Sequence, residues 1–285
     1  MRKMHWRLGL IIGVLLIAIV FGLLFGTTIL ARHALNTSGH SLMHTHKPPQ
    51  HASIMLPRNQ ELFVPFLLVV SPGTIVTWQN EDTIAHQFTT TPQKNAFLNP
   101  QTFSFRVPAG GQVQFTFTRP GLYHYYDSGM STWNASLGRV AAHKATPHFP
   151  LAMDGIIWVQ GPLSNLPTNA SNYIPKGHDE FASEFVAINQ PGTVSWHNFD
   201  DDPHFVGLVA GWPAPINPTD IGLYRFAGTD DVPGGASISV LFDAPGLYYY
   251  YCRNHDQVDP LTHRARALPM ASEYPIPMEG FVLVI

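Results

Sequence analysis

The chain repeats itself, and the repeat restricts it to two copies of one folding unit. Pro72-Gly73-Thr74-Ile75-Val76-Thr77-Trp78 returns as Pro191-Gly192-Thr193-Val194-Ser195-Trp196. Eight residues after each tryptophan comes a histidine, His86 and His204. Val107-Pro108-Ala109-Gly110 returns as Val232-Pro233-Gly234-Gly235, and Pro120-Gly121-Leu122-Tyr123 as Pro245-Gly246-Leu247-Tyr248. Met153-Asp154-Gly155 returns as Met278-Glu279-Gly280, each time before an apolar run. From Val107 onward the second copy follows the first without a gap, 125 residues on (Val107 to Val232, Met153 to Met278). Matches this numerous and this regular mark a duplicated unit rather than a solenoid.

The unit reads as β-structure. Gln112-Val113-Gln114-Phe115-Thr116-Phe117 alternates polar and apolar, and Ser237-Ile238-Ser239-Val240 does the same. That period of two belongs to a half-buried strand. Pro-Gly pairs precede several strands as turns, in keeping with 23 glycines and 25 prolines. No long amphipathic helical pattern follows residue 31. The expected fold is all-β, with two tandem Greek-key β-sandwich domains at 52–160 and 177–285. The stretch 161–176, rich in Pro, Asn and Ser, is the expected linker.

The amino terminus carries a different signal. Arg2, Lys3 and Arg7 precede an uncharged run from Leu8 to Ala31. A helix needs about 20 apolar residues to span a bilayer. The run exceeds the roughly 7–15-residue core of a cleavable signal, and no clean cleavage site follows. Residues 1–31 are therefore expected to be a cytoplasmic terminus and one transmembrane helix. Basic residues before the span place the bulk of the chain outside the cytoplasm. Residues 32–51 form a polar stalk holding His33, His40, His44, His46 and His51. Sixteen basic against 19 acidic residues, with a charged fraction of 12%, leave no electrostatic footprint for nucleic acid. Neither a Ser-His-Asp arrangement, a Gly-rich phosphate loop nor a zinc-protease motif stands out.

The chain has one cysteine, Cys252, in Tyr248-Tyr249-Tyr250-Tyr251-Cys252-Arg253-Asn254-His255. An exported thiol without a partner in its own chain is an oxidation liability unless it is buried or metal-bound. A thiolate three residues before an imidazole, at the end of an aromatic strand, suits a soft metal ion. Sulfur plus imidazole selects copper or zinc, and a trigonal His₂Cys set with a long axial methionine selects redox copper. His204 is the candidate second imidazole and Met278 the candidate thioether.

The set His204, Cys252-Arg253-Asn254-His255 and Met278-Glu279-Gly280-Phe281-Val282-Leu283-Val284 resembles a plastocyanin-type cupredoxin. The resemblance covers residues from about 180 to 285, with 55–160 as a divergent copy. It implies one type 1 copper ion held by His204, Cys252 and His255 in a plane, with Met278 as a weak axial ligand. One departure stands out: 22 residues separate His255 from Met278, where the family has a few. Met270 and His263 lie in that loop and compete for the axial place; the closing strand after Gly280 favours Met278.

In the first copy Asp127 takes the place of Cys252, and Met130 that of His255, while His86 and Met153 remain. Without the sulfur this copy cannot be a charge-transfer centre. It is either a structural unit with a decayed site or a weak second site of His86, Asp127, Met130 and Met153, with His143 or His148 nearby. His124 belongs on the opposite strand face from Asp127.

Three functions fit. The first is a membrane-anchored electron carrier, not an enzyme, exchanging single electrons with redox protein partners. The second is copper storage or delivery, using the stalk histidines as well. The third is a relative of the multicopper oxidases or copper nitrite reductases. That class typically has a histidine beside the cysteine and recurring His-x-His pairs. Here Tyr251 and Arg253 flank Cys252, and the one His-x-His, His44-Thr45-His46, lies in the stalk. Asp200-Asp201-Asp202 reads as a solvated acidic turn able to steer a basic partner.

Overall fold

The computed structural model describes residues 50–209 and 232–285. The expected membrane helix and nearly all of the stalk lie outside these residues. Among the described residues no helix is long and apolar enough to cross a membrane, and every regular element is a strand.

The first half contains β1 (His51–Leu56), β2 (Leu67–Val70), β3 (Thr74–Asn80), β4 (His86–Thr90), β5 (Ser104–Val107), β6 (Gln112–Phe117), β7 (Gly121–Asp127), β8 (Ser131–Asn134), β9 (Arg139–Ala142) and β10 (Asp154–Val159). The second contains β11 (Asn169–Ile174), β12 (Phe185–Ile188), β13 (Gly192–Asn198), β14 (Gly207–Leu208), β15 (Ser237–Phe242), β16 (Gly246–Tyr251), β17 (Asp256–Val258), β18 (Ala265–Ala267) and β19 (Glu279–Val284). The expected stalk and linker are therefore not wholly connecting chain: His51 opens β1, and β11 lies inside 161–176.

The duplicated sequence folds into duplicated topology. A sheet ordered β1-β3-β6 has its counterpart in β11-β13-β15. The sheet β2-β10-β7-β4-β5 has its counterpart in β12-β19-β16-β14. Register repeats too: Thr89 pairs with Tyr126 as Gly207 pairs with Tyr251, and His86 pairs with Val107 as His204 bridges to Val232.

Each half has a core between its two sheets. In the first, Trp78, Phe88, Phe117, Tyr123 and Tyr125 meet Val70 and Ile157. In the second, Trp196, Phe242, Tyr248 and Tyr250 meet Ile188, Val282 and Val284. The β6 and β15 strands alternate as expected, because one face is wet. The β10 and β19 strands do not alternate and are buried throughout. Their second faces close a third core, in which Ile156, Trp158 and Leu122 pack with Phe185, Leu247, Tyr249, Phe281 and Leu283. Strands covered on both faces read as continuous apolar runs, and Gly280-Phe281-Val282-Leu283-Val284 is such a run. The described residues, 50–209 and 232–285, accordingly belong to one compact unit.

Gly155 and Gly280 hold matching places beneath tyrosine rings. A Cβ at Gly155 would meet the Tyr125 hydroxyl at 2.6 Å, and one at Gly280 would collide with that of Tyr250. The glycine of each Met-Asp/Glu-Gly motif therefore lets β10 and β19 close on the strand that leads to the candidate site.

Candidate metal centre

The β16 strand delivers Cys252 to the end of the second core, where its side chain is fully buried. The chain then turns tightly, with the amides of His255 and Asp256 donating to the Cys252 carbonyl at 3.2 and 2.9 Å. The turn returns the His255 ring to within 3.6 Å (Nδ1) of Cys252 Sγ. His204 arrives from the neighbouring edge of the same sheet, fixed by paired backbone hydrogen bonds with Val232 at 2.7 and 3.1 Å. Its Nδ1 lies 3.9 Å from Sγ. The two rings stand with centroids 4.9 Å apart. The Asn254 side chain donates to the Pro203 carbonyl at 2.9 Å and ties the two ligand-bearing loops together.

His204 and Cys252 are fully buried, and the His255 side chain is 14% exposed. Donor atoms of all three lie within 4.8 Å of one another. Met278, fully buried, packs in the same core as Cys252. Its amide donates to the Asp256 carboxylate at 3.0 Å, and its carbonyl accepts from the Cys252 amide at 3.0 Å. The loop residues that compete with it in the sequence face solvent: Met270 is 75% exposed and His263 is exposed.

Thiolate and imidazole donors about 2.3 and 2.0–2.1 Å from a first-row ion stand about 3.6–3.8 Å apart at tetrahedral to trigonal angles. The observed gaps from Sγ to the two Nδ1 atoms match that spacing, so the donor set fits one such ion. Burial pushes the Cys252 thiol up to about 12, against the opposing pull of the Phe205 amide, which donates to Sγ at 3.2 Å. Loading a metal must therefore displace a proton from sulfur.

The outer nitrogens of both imidazoles are also engaged. His204 Nε2 lies 3.0 Å from Asp200 Oδ2, and His255 Nε2 lies 3.2 Å from Asp179 Oδ1. Sequence reading missed both carboxylates. Asp200 was expected in a solvated turn; Asp201 and Asp202 are exposed, but Asp200 is buried. A signal for it existed, because each copy carries an aspartate four residues before its histidine, Asp82 and Asp200. Asp179 is 76 positions from His255, and no local pattern points to it.

The corresponding place in the first half is closed differently. His86 Nδ1 lies 2.6 Å from Asp127 Oδ2, and its Nε2 lies 3.4 Å from Asp82 Oδ2. All three side chains are buried. Burial works against protonation of His86, but the pairing with Asp127 and then Asp82 outweighs it and raises its affinity for the proton. Met153 is buried in the first core and Met130 packs against it. His143 is engaged at the surface by the Gly129 carbonyl and the Thr132 hydroxyl, and His148 lines a groove with Phe66 and Leu261. Among the described residues His86, Asp82 and Asp127 do not bring one ligand atom each within 4.8 Å of one another, as the three donors of the second half do. His124 faces away from Asp127, as the strand period requires, and pairs with Asp154 at 2.9 Å in the region where the halves meet. There Arg264 also reaches Asp154, at 2.6 Å.

No protein-family model and no curated protein matches the chain. Several solved structures are similar to part of it. A purple cupredoxin from Nitrosopumilus maritimus is 21% identical over 38% of this chain and 99% of its own, with a TM-score of 0.26. An auracyanin from Roseiflexus castenholzii is 14% identical over 40% of this chain and 99% of its own, with a TM-score of 0.27. An amicyanin from Paracoccus versutus is 14% identical over 40% of this chain and 84% of its own, with a TM-score of 0.26. At these scores the likenesses carry no weight for any residue's role, which stands on the geometry of the buried donor set.

Proposed function

We propose that this chain is a membrane-anchored, extracytoplasmic electron carrier with one type 1 copper ion in the second of two tandem cupredoxin-like domains. The observation that carries this reading is the convergence of Cys252 Sγ with the Nδ1 atoms of His204 and His255, at 3.9 and 3.6 Å, at the end of the second core. His204, Cys252 and His255 would hold the ion, and Met278, buried in the same core, would serve as a weak further donor. Copper, when bound, would supply a one-electron couple. The chain's own part is to hold the donors still. Both strand ends are pinned by backbone hydrogen bonds, and Phe205, Tyr250 and Val282 keep water from the sulfur. The run Leu8–Ala31, preceded by three cationic residues, supports the anchor and its orientation.

The test is metal analysis of the full-length protein with an absorption spectrum and voltammetry. Strong thiolate-to-copper absorption with a reversible one-electron wave is expected, and Cys252→Ser abolishes both. Several tightly held coppers without a reversible wave would instead mark storage. Turnover of oxygen or nitrite would mark an enzyme.

A further inference from the structure

Resting on the copper reading, we propose that Asp179 and Asp200 are positioning residues that aim the two imidazoles at the ion. A carboxylate accepts but does not donate. A ring that ligates a metal through Nδ1 carries its hydrogen on Nε2, where the carboxylate accepts it, and the two Nδ1 atoms lie 3.9 and 3.6 Å from Cys252 Sγ. Carboxylate, imidazole and metal in line is a recurring way to fix a ligand's tautomer and orientation. Here it is built twice around one donor set, at 3.0 and 3.2 Å.

Both carboxylates are themselves held. Asp200 is buried. The Gly177 and Asp201 amides donate to its other oxygen at 2.8 Å each. Asp179 is gripped by the long loop between His255 and Met278. The Ser272 amide donates to Asp179 Oδ2 at 2.6 Å, and the Asp179 amide donates to Ser272 Oγ at 2.8 Å. Beside them His178 Nδ1 lies 2.6 Å from Glu273 Oε1. The loop's length thus has a use: it reaches across to the segment before β12 and sets the carboxylate that caps the more exposed imidazole.

The experiment compares the full-length wild type with Asp179→Leu, Asp179→Asn, Asp200→Leu and Asp200→Asn, with the exposed, distant Asp243→Asn as control. The readouts are copper affinity by chelator competition, reduction potential, and the nitrogen-15 tautomer signals of His204 and His255 in the metal-free protein. Each leucine variant is expected to lose about 10–100-fold in affinity and to mix its histidine's tautomers. Each asparagine variant retains an acceptor oxygen, so it recovers most of the affinity, but its potential rises because a negative charge near the oxidised ion is gone. Unchanged affinity and unchanged tautomers in both leucine variants would overturn the proposal. An asparagine variant that falls as far as its leucine counterpart would do the same, because the acceptor would then not matter. Absence of thiolate-to-copper absorption in the wild type would sink the copper reading itself, and the metal-free tautomer signals tell these two failures apart.

Discussion

The two halves place the same strand ends, the same histidine and the same preceding aspartate around two quite different centres. In the second half His204 sits between Asp200 and a sulfur, and one nitrogen is left to face a shared point with His255. In the first half His86 sits between two carboxylates: Nδ1 is hydrogen-bonded to Asp127 at 2.6 Å, and Nε2 lies 3.4 Å from Asp82, an ion-pair contact without a hydrogen bond. Setting β1 on β11, with His51 on Asn169, puts Glu61 at the place of Asp179; it lies near His86, with a buried Oε2 that makes no hydrogen bond. The difference teaches that an acid four residues before the histidine is common to both copies, and that the residue at the end of β7 or just after β16 decides between an ion pair and a donor set. A thiol leaves an imidazole lone pair free. A second carboxylate, Asp127, takes the nitrogen that would face a metal and raises the affinity of His86 for a proton.

The comparison can be broken by exchanging the deciding residues. Asp127→Cys with Met130→His rebuilds the missing sulfur and second imidazole on a scaffold that already carries His86, Asp82 and Met153. A copper site with thiolate absorption in the first half is the expected outcome, checked by metal stoichiometry and spectroscopy on the Cys252→Ser background, where the site of the second half cannot contribute. Failure to bind would show that the first half differs in backbone as well as in side chains.

A smaller effect concerns the ion pair itself. Removing one partner of a buried, hydrogen-bonded charge pair costs about 3–5 kcal/mol, so Asp127→Ala should destabilise the fold by roughly that amount in denaturant titrations while leaving the copper absorption unchanged. The cost depends on pH with a definite sign. His86 binds its proton more tightly in the folded chain. Its pairing therefore contributes fully below the unfolded histidine value of about 6.5 and is lost as the pH rises through the raised folded value. Asp82, Asp127 and Glu61 are the charged groups around it. The Asp127→Ala penalty should be larger at mildly acidic than at alkaline pH. Equal penalties at both would mean that His86 is neutral in the fold.

The smallest effect tests how alike the two cores are. The Tyr125 hydroxyl accepts from Trp78 Nε1 at 3.2 Å, and the Tyr250 hydroxyl accepts from Asn172 at 2.9 Å. Tyrosine to phenylalanine should cost about 1 kcal/mol for each hydrogen bond lost, the usual net worth of one, and the Tyr250 hydroxyl also bonds Trp196. Thermal unfolding of both variants would check that, and a much larger loss at Tyr250 would show that its ring also supports the donor set.

The strand content, the duplication and the three donors that meet were legible in the residues. Alternation at Gln112–Phe117 and the repeated Pro-Gly-Leu-Tyr and Met-Asp/Glu-Gly motifs are local, and a strand's period or a motif's spacing survives in one dimension. Asp200 was half legible, because its four-residue step before His204 repeats at Asp82 and His86. Met278 over Met270 was suggested by the closing strand and agrees with one being buried and the other exposed.

What the chain alone determined is thus its repeated β-pattern and the ordered list of soft donors, since both depend on near neighbours along the backbone. Only the tertiary structure decided that β10 and β19 are covered on both faces, that His86 is locked between two acids, and that Asp179 caps His255. Those outcomes join positions tens of residues apart, and which side chain faces which across that distance is set by how sheets pack and loops fold back, not by any local preference of the residues themselves.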